Sequence, residues 1–305
     1  SPYSSIFLAT FSNSPEIFYG SDTKTEGFSG YLCELLVINY GRFLDVMKYV
    51  SKWEPPVIVG EKHKKIFKSP LIVIDPVDEN RNVAAAVNSE NFMKFVIAAK
   101  KFLQRPSANF FFPEKKILSG KEMQKLKERD TKFVALVFKK PDLIDDILYP
   151  QIKKLRKRIV SLLEGEEFFV FRSYEFAERE VALIFELETW RLPAIKKMIG
   201  PPIFSKIHTK EFLSKYSGSP DVSFGPYIED DRWVVEKKRI FDATHFLMEF
   251  LKKMENVLVE EGVPRNIVKE FMKVKIVEHE DFWKYINRNR DLSIFLREKY
   301  FENLK

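Results

Sequence analysis

The apolar residues change their period at about Phe110, and a chain that carries both periods must build more than one kind of layer. Up to about Ser107 the spacing is helical. Leu32, Leu35, Leu36, Phe43, Met47 and Val50 place one apolar face on a helix over residues 29 to 52, bent or interrupted near Gly41. Trp53-Glu54-Pro55-Pro56 stops it, because the residue before a proline is pushed out of the helical region. Beyond the basic stretch from Glu61 to Lys68, the β-branched run Leu71-Ile72-Val73-Ile74 predicts a short strand ended by Asp75-Pro76. Asn88-Ser89 can cap a second helix whose apolar face is Phe92, Phe95, Val96, Ala99, Phe102 and Leu103.

Downstream, Phe133 to Phe138 predicts a strand, Leu143 to Leu163 a helix, and Phe168 to Arg172 and Val181 to Leu187 two further strands. That order suits a split βαβ or RNA-recognition-motif-like layer. Gly200-Pro201-Pro202 reads as a break, followed by a short helix around Lys210 to Tyr216 and a linker at Ser217-Gly218-Ser219-Pro220. Tyr227-Ile228 and Trp233-Val234-Val235 flank the acidic turn Glu229-Asp230-Asp231 as a hairpin would. From Thr244 to Lys305 the pattern is amphipathic helix, broken at Gly262-Val263-Pro264. The expected fold class is α+β and multidomain: a helical central domain over 1–107, a recognition-motif-like body over 108–195, a mixed helix/hairpin tail over 196–243, and C-terminal helices over 244–305 that pack on body and tail.

Composition bounds the function classes. No apolar run approaches the roughly 20 residues of a membrane span, so no membrane partner and a soluble, cytoplasmic protein are expected. Ser1 to Gly20 shows no secretory signal pattern, and the start reads as a fragment boundary. The single cysteine, Cys33, excludes an internal disulfide, suits a reducing compartment, and sits in an apolar helix as a small hydrophobe. The net charge of +7 is concentrated. Lys153, Lys154, Arg156, Lys157 and Arg158 share one helical segment, with Lys139-Lys140 just before it, a candidate phosphate-contacting surface or a merely solvated helix face.

Motifs that carry chemistry are sparse. Two-metal nucleotidyl transfer needs carboxylates aimed together from one strand. Asp75 and Asp78 come closest, but their spacing and Pro76 favour a turn, cap or orienting role. Asp145-Asp146 and Asp230-Asp231 read as a helix start and a hairpin tip. His63, His208, His245 and His279 have no second ligand at metal spacing. The phosphate-binding P-loop, the dinucleotide glycine fingerprint and the nucleophile elbow are all missing from the sequence. By residue chemistry alone the chain is a basic α+β protein without an assigned activity.

Two stretches carry a resemblance: Gly27-Phe28-Ser29-Gly30-Tyr31-Leu32-Cys33-Glu34-Leu35-Leu36, and Ile74-Asp75-Pro76-Val77-Asp78-Glu79-Asn80-Arg81-Asn82-Val83-Ala84-Ala85. They resemble the archaeal, class I CCA-adding enzymes, the CCA tRNA nucleotidyltransferases. The likeness continues through Lys139-Lys140-Pro141-Asp142-Leu143-Ile144-Asp145-Asp146, Leu148-Tyr149-Pro150-Gln151, Phe171-Arg172-Ser173, Met198-Ile199-Gly200-Pro201, Lys210-Glu211-Phe212-Leu213-Ser214 and Ala243-Thr244-His245. The resemblance implies head, neck, body and tail domains, and an enzyme that adds or repairs the 3′-terminal CCA of tRNA from CTP and ATP without a nucleic-acid template. This chain would supply neck, body and tail, while Mg²⁺ and the carboxylates that hold it are expected in a head that should precede Ser1 or lie on a separate polypeptide. A non-catalytic tRNA-binding remnant or accessory module is the alternative reading.

The resemblance also implies residue roles. Arg81 would lie near the incoming base and a tRNA phosphate, with Asp75 orienting it. Tyr19, in Phe18-Tyr19-Gly20, matches the family tyrosine that contacts the triphosphate. Lys139, Lys140, Arg172, Thr244 and His245 occupy motifs suited to phosphate or 2′-hydroxyl contacts with the acceptor stem and T arm. A homodimer is expected because family members are often dimers. The front departs from the pattern: Ser1-Pro2-Tyr3-Ser4 places Ser4 where the family has a triphosphate-contacting histidine, and Thr10 lies near where it has a lysine.

Overall fold

The computed structural model describes residues 26–60, 67–112 and 114–301. Among the described residues, contacts divide the chain into two compact units, the first formed by those up to Leu126, Asp142–Pro150 and those from Ile286 onward, the second by Lys127–Pro141 and Gln151–Tyr285. Both are α+β.

In the first unit the predicted long helix is two, Gly30–Tyr40 and Phe43–Val50, parted at Gly41. Gly41 has φ 96°, which a glycine adopts without the clash a Cβ would bring. The Ser29 hydroxyl caps the first helix by accepting from the Leu32 N–H at 3.1 Å. Asn88 caps the helix Ser89–Gln104 in the same way, accepting from the Asn91 N–H at 2.8 Å. That helix buries Phe92, Phe95, Val96, Ala99 and Phe102, the face its periodicity predicts. Phe28 lies 4.4 Å from Phe95 between ring centroids, and Trp53 stacks on Phe92. Each such fully buried aromatic or aliphatic side chain contributes about 1.5–3 kcal/mol. Cys33 is buried in this core, as expected. The predicted strand is β2 (Leu71–Val73), and it pairs in parallel with a strand the periodicity missed, β1 (Val57–Val59). Three residues between Pro56 and Gly60 are too few to show a period of two. The helix Arg290–Phe301 is tied to the Leu118 segment, whose N–H donates to Ser293 Oγ at 3.0 Å, and to Glu122 through Arg297 at 3.1 Å.

The second unit holds two antiparallel sheets, built from β3 (Lys132–Lys139), β4 (Val170–Ala177), β5 (Glu180–Leu187), β6 (Ile195–Pro202), β7 (Val222–Glu229), β8 (Arg232–Lys238) and β9 (Lys275–Glu278). The order β4-β5-β3-β9 is second, third, first, fourth, the arrangement of a recognition-motif-like layer. Its register pairs Lys132 with Leu187 and Leu187 with Val170 at one end, and Lys139 with Glu180 at the other. β9 corrects the expectation that everything beyond Thr244 is helix; four residues carry almost no periodicity, and the pairing that makes them a strand comes from β3, far earlier in the chain. β3 is buried at every position but Lys139, so this strand offers no open sheet face to a ligand.

The smaller sheet has the order β6-β8-β7. The expected hairpin is present, with Asp230 at φ 50° in its tip. Gly200-Pro201-Pro202 is not a break but the end of β6, and the ladder shifts register between Ile199 and Pro202, where prolines without an N–H are tolerated. Gly200 is required by packing: a Cβ there would stand 2.6 Å from Cε2 of Phe212, on the helix Lys206–Tyr216. Two of the recognised motifs thus meet in one contact. Among the described residues, no helix is long and apolar enough to cross a membrane.

Gly200→Ala should lower stability by roughly 1–3 kcal/mol through overpacking, and adding Phe212→Leu should recover part of that loss in urea unfolding. A Gly200→Ala protein with an unchanged midpoint would remove this contact from the account.

Candidate functional site

Two segments of the first unit, Ser29 to Tyr31 and Asn80 to Ala86, line an open cleft of about 650 Å³. Its walls are Ser29, Tyr31, Asn80, Arg81, Asn82, Val83, Ala85 and Ala86. The two stretches that carry the strongest sequence resemblance therefore meet at one place. Below it, the loop that follows β2 is closed by backbone hydrogen bonds from Asp75 N–H to Arg81 C=O at 3.1 Å and from Arg81 N–H to Asp78 C=O at 3.0 Å. Asn82 fixes the return of the loop. Its Oδ1 accepts from the Val73 and Ala84 N–H groups at 2.9 and 3.0 Å, and its Nδ2 donates to Leu71 C=O at 3.1 Å. Asn82 was not singled out from the sequence, since a buried asparagine reads like any loop asparagine until its partners are known.

Asp75 is only 4% exposed, and its carboxylate oxygens are both committed. Oδ1 accepts from the Val77 N–H and from the Tyr31 hydroxyl, each at 3.0 Å, and Oδ2 faces Arg81 Nη1 at 3.3 Å. The Val77 N–H, then the Tyr31 hydroxyl and the Arg81 charge, hold the carboxyl below the usual carboxylate range against the opposing effect of desolvation. The Tyr31 phenol is pushed up, chiefly because it donates to that carboxylate. The Arg81 side chain is 63% exposed. One guanidinium nitrogen is held by Asp75, and the group stays accessible at the cleft. Asp78 instead caps its own loop, accepting from the Asn80 N–H at 3.0 Å. Asp75 and Asp78 are thus both engaged by hydrogen bonds within this loop, Asp75 also by Tyr31 and Arg81. With Asp75 committed to three donors, one of them an arginine, this cleft does not fit a divalent cation, and no cluster of three or more His, Cys, Asp or Glu suited to a metal occurs among the described residues. Tyr19, Ser4, Thr10 and His63 lie outside the described residues.

The remaining candidates fall in the second unit and form two groups. Arg172 stands on β4, opposite Glu186, near the Lys132 end of the sheet. Its guanidinium carbon is 5.5 Å from the Phe171 ring centroid, and that of Arg129 is 5.2 Å from the same ring. At this end of the sheet too, Thr244 is buried, donating to Glu278 at 2.6 Å and accepting from Lys132 Nζ at 2.9 Å. Lys132 also pairs with Glu278 at 2.6 Å. This network, together with Asp242, which accepts from the Thr244 and His245 N–H groups, fixes the start of the helix Ala243–Leu251 and leaves His245 on the surface. Lys139 and Lys140 lie at the opposite end of β3, seven residues or about 23 Å from Lys132 at the rise of an extended strand.

The basic helical run is divided. Arg156 donates to Glu175 and Ser173, and Arg158 to the Glu261 carbonyl, so both serve the fold; Lys154 and Lys157 are exposed.

Family models match both parts of the chain. Residues 6–112 match the second domain of tRNA nucleotidyltransferases, and residues 129–297 match the C-terminal domain of CCA-adding enzymes. A helical domain of the first kind joined to a recognition-motif-like sheet of the second kind defines a tRNA nucleotidyltransferase class. The chain belongs to the CCA-adding enzyme family. It is 36% identical over 284 residues to the CCA-adding enzyme of Methanosarcina mazei, covering 92% of this chain and 61% of that enzyme. It is 40% identical over 240 residues to that of Methanosarcina barkeri (76% and 52%) and 35% identical over 227 residues to that of Archaeoglobus fulgidus (73% and 51%). The chain spans about three fifths of the length of the first of these relatives and about half of the other two.

Asn82→Ala takes the Oδ1 acceptor from two N–H groups and leaves the Leu71 carbonyl with the Ser69 hydroxyl, and should cost about 2–3 kcal/mol, read as a lowered melting temperature. The depressed Asp75 carboxyl stabilises the fold above its unfolded pKa, and that contribution is lost as pH falls through the folded value. Stability should therefore decline below about pH 4, and Asp75→Asn should flatten that part of the profile. An identical acid profile in the variant would show that Asp75 does not contribute to it.

Proposed function

We propose that this chain is the tRNA-binding and nucleotide-selecting part of a CCA tRNA nucleotidyltransferase, which adds or repairs the 3′-terminal CCA of tRNA using CTP and ATP without a nucleic-acid template. The observation that carries the reading is the cleft in which Arg81, held on a buried carboxylate, lies beside the helix start at Ser29 and Tyr31. A guanidinium offers a planar fork of donors. One edge is fixed by Asp75, and the accessible remainder suits the carbonyl and ring nitrogen of an incoming base together with a phosphate of the growing tRNA end. Carboxylates and Mg²⁺ for phosphoryl chemistry come, in this reading, from a nucleotidyltransferase head that works with this chain on the same polypeptide or another.

The second unit would hold the acceptor stem and T arm. Every tRNA must be accepted, so recognition has to rest on the shape and backbone of the duplex. The arrangement of Arg172 and Arg129 around Phe171 suits phosphate contact at one end of the sheet, with His245 on the surface nearby, and Lys139 with Lys140 suits it at the other. A separation of about 23 Å is too long for one phosphate, so the two groups would touch different stretches of the duplex. In this proposal Thr244 acts by holding the start of the helix that presents His245.

In an enzyme that carries this chain with a competent head, Arg81→Ala should reduce incorporation of CTP and ATP into tRNA lacking its CCA end far more than it reduces tRNA affinity. Equal losses would assign Arg81 a structural role. Arg172→Ala should weaken binding of the same tRNA and lower the salt slope by about one phosphate contact; an unchanged affinity and slope would exclude that contact.

A further inference from the structure

Tyr31 carries a contact that neither the family match nor the proposed roles assign. Its hydroxyl reaches 44 residues along the chain, from the first turn of the helix Gly30–Tyr40 to Asp75 Oδ1 at 3.0 Å. Asp75 then meets Arg81 through its other oxygen. We propose that Tyr31 is a specificity-determining positioning residue, which fixes the Asp75 carboxylate and through it the angle at which Arg81 enters the cleft.

The geometry gives Tyr31 this role for three reasons. A carboxylate with one oxygen held only by the Val77 N–H can still turn about its Cβ–Cγ bond, and the hydroxyl, arriving from a different element, restrains that turn. The helix start that presents Tyr31 is itself pinned, because Ser29 caps it and Phe28 is wholly buried against Phe95. Arg81, by contrast, belongs to an exposed loop, and the Asp75 carboxylate is its one side-chain ion pair among the described residues. The rigid helix thus supplies the reference frame, and the Tyr31–Asp75–Arg81 chain transmits it to the guanidinium. Such a device matters most for discrimination, since a base edge presenting the wrong donor or acceptor is rejected only if the arginine cannot swivel to meet it.

This inference rests on the proposed role of Arg81 in base selection, and the experiment separates the two. Tyr31→Phe removes only the hydroxyl and keeps the ring in the cleft. In the competent enzyme with tRNA lacking its CCA end, Tyr31→Phe should raise KM for CTP and reduce discrimination against UTP by about tenfold, the size expected for a lost hydrogen bond to a charged group. The melting temperature should fall by only a few degrees while tRNA affinity stays close to wild type, and the effects of Tyr31→Phe and Asp75→Asn should be far from additive, because they break one chain. If Arg81→Ala impairs incorporation while Tyr31→Phe leaves KM and discrimination unchanged, the positioning role fails and the arginine role stands. If Arg81→Ala leaves incorporation unchanged, both fail. Additive losses in the double variant would also overturn the coupling.

Discussion

A carboxylate taken out of water must be compensated by donors or it will protonate, and at Asp75 that requirement organises the whole cleft. Three groups answer it: the backbone N–H of Val77, the hydroxyl of Tyr31 and the guanidinium of Arg81. They come from the loop after β2, from the helix Gly30–Tyr40 and from the far side of the same loop. Satisfying one anion therefore brings the helix start, the strand end and the arginine to one point. Asn82 completes the construction by pairing with the backbone on both sides of the turn. The same interactions that stabilise the loop leave the arginine accessible, which is what the proposed role in recognition needs.

The second unit solves a different problem. Its recognition-motif-like sheet has the strand order of an RNA-binding layer, yet β3 is buried throughout except at Lys139. If the proposed function holds, contacts with tRNA would therefore come from the edge strand β4, from strand ends and from loops. The exposed aromatic at Phe171 with two guanidinium groups, and the lysines at the end of β3, are placed accordingly. The Lys132, Glu278, Asp242 and Thr244 cluster joins β3, β9 and the start of the helix Ala243–Leu251, so the late strand and the helix start are locked by charge as well as by the ladder. Removing one partner from such a cluster leaves a buried charge behind and is costly.

Much of the architecture was legible because it is local. Ser29 and Asn88 signal caps, Gly41 a break, Phe92 to Phe102 an apolar face, and Asp230 a hairpin tip, each within a few residues. The strands β1 and β9 were not legible, since three or four residues show no period and their partners are distant or separated by a loop. Gly200-Pro201-Pro202 misled for the opposite reason: its composition says break, while its position at an irregular strand end permits prolines. Asp75 and Arg81 could be linked from the family resemblance, but Tyr31 could not, because a tyrosine in a helical run gives no sign of a hydroxyl bond to a residue 44 positions away. The basic run from Lys153 to Arg158 overstated the surface charge, since two of its arginines are held within the fold.

Photo-crosslinking from the 3′ end of a tRNA lacking its CCA, followed by mapping of the modified peptides in this chain, shows whether the growing end enters the Arg81 cleft. Adducts are expected in the two segments that line the cleft, Ser29 to Tyr31 and Asn80 to Ala86, and should be suppressed by Arg81→Ala. Adducts confined to the second unit, with none in either cleft segment, would contradict the assignment of this cleft to the growing tRNA end.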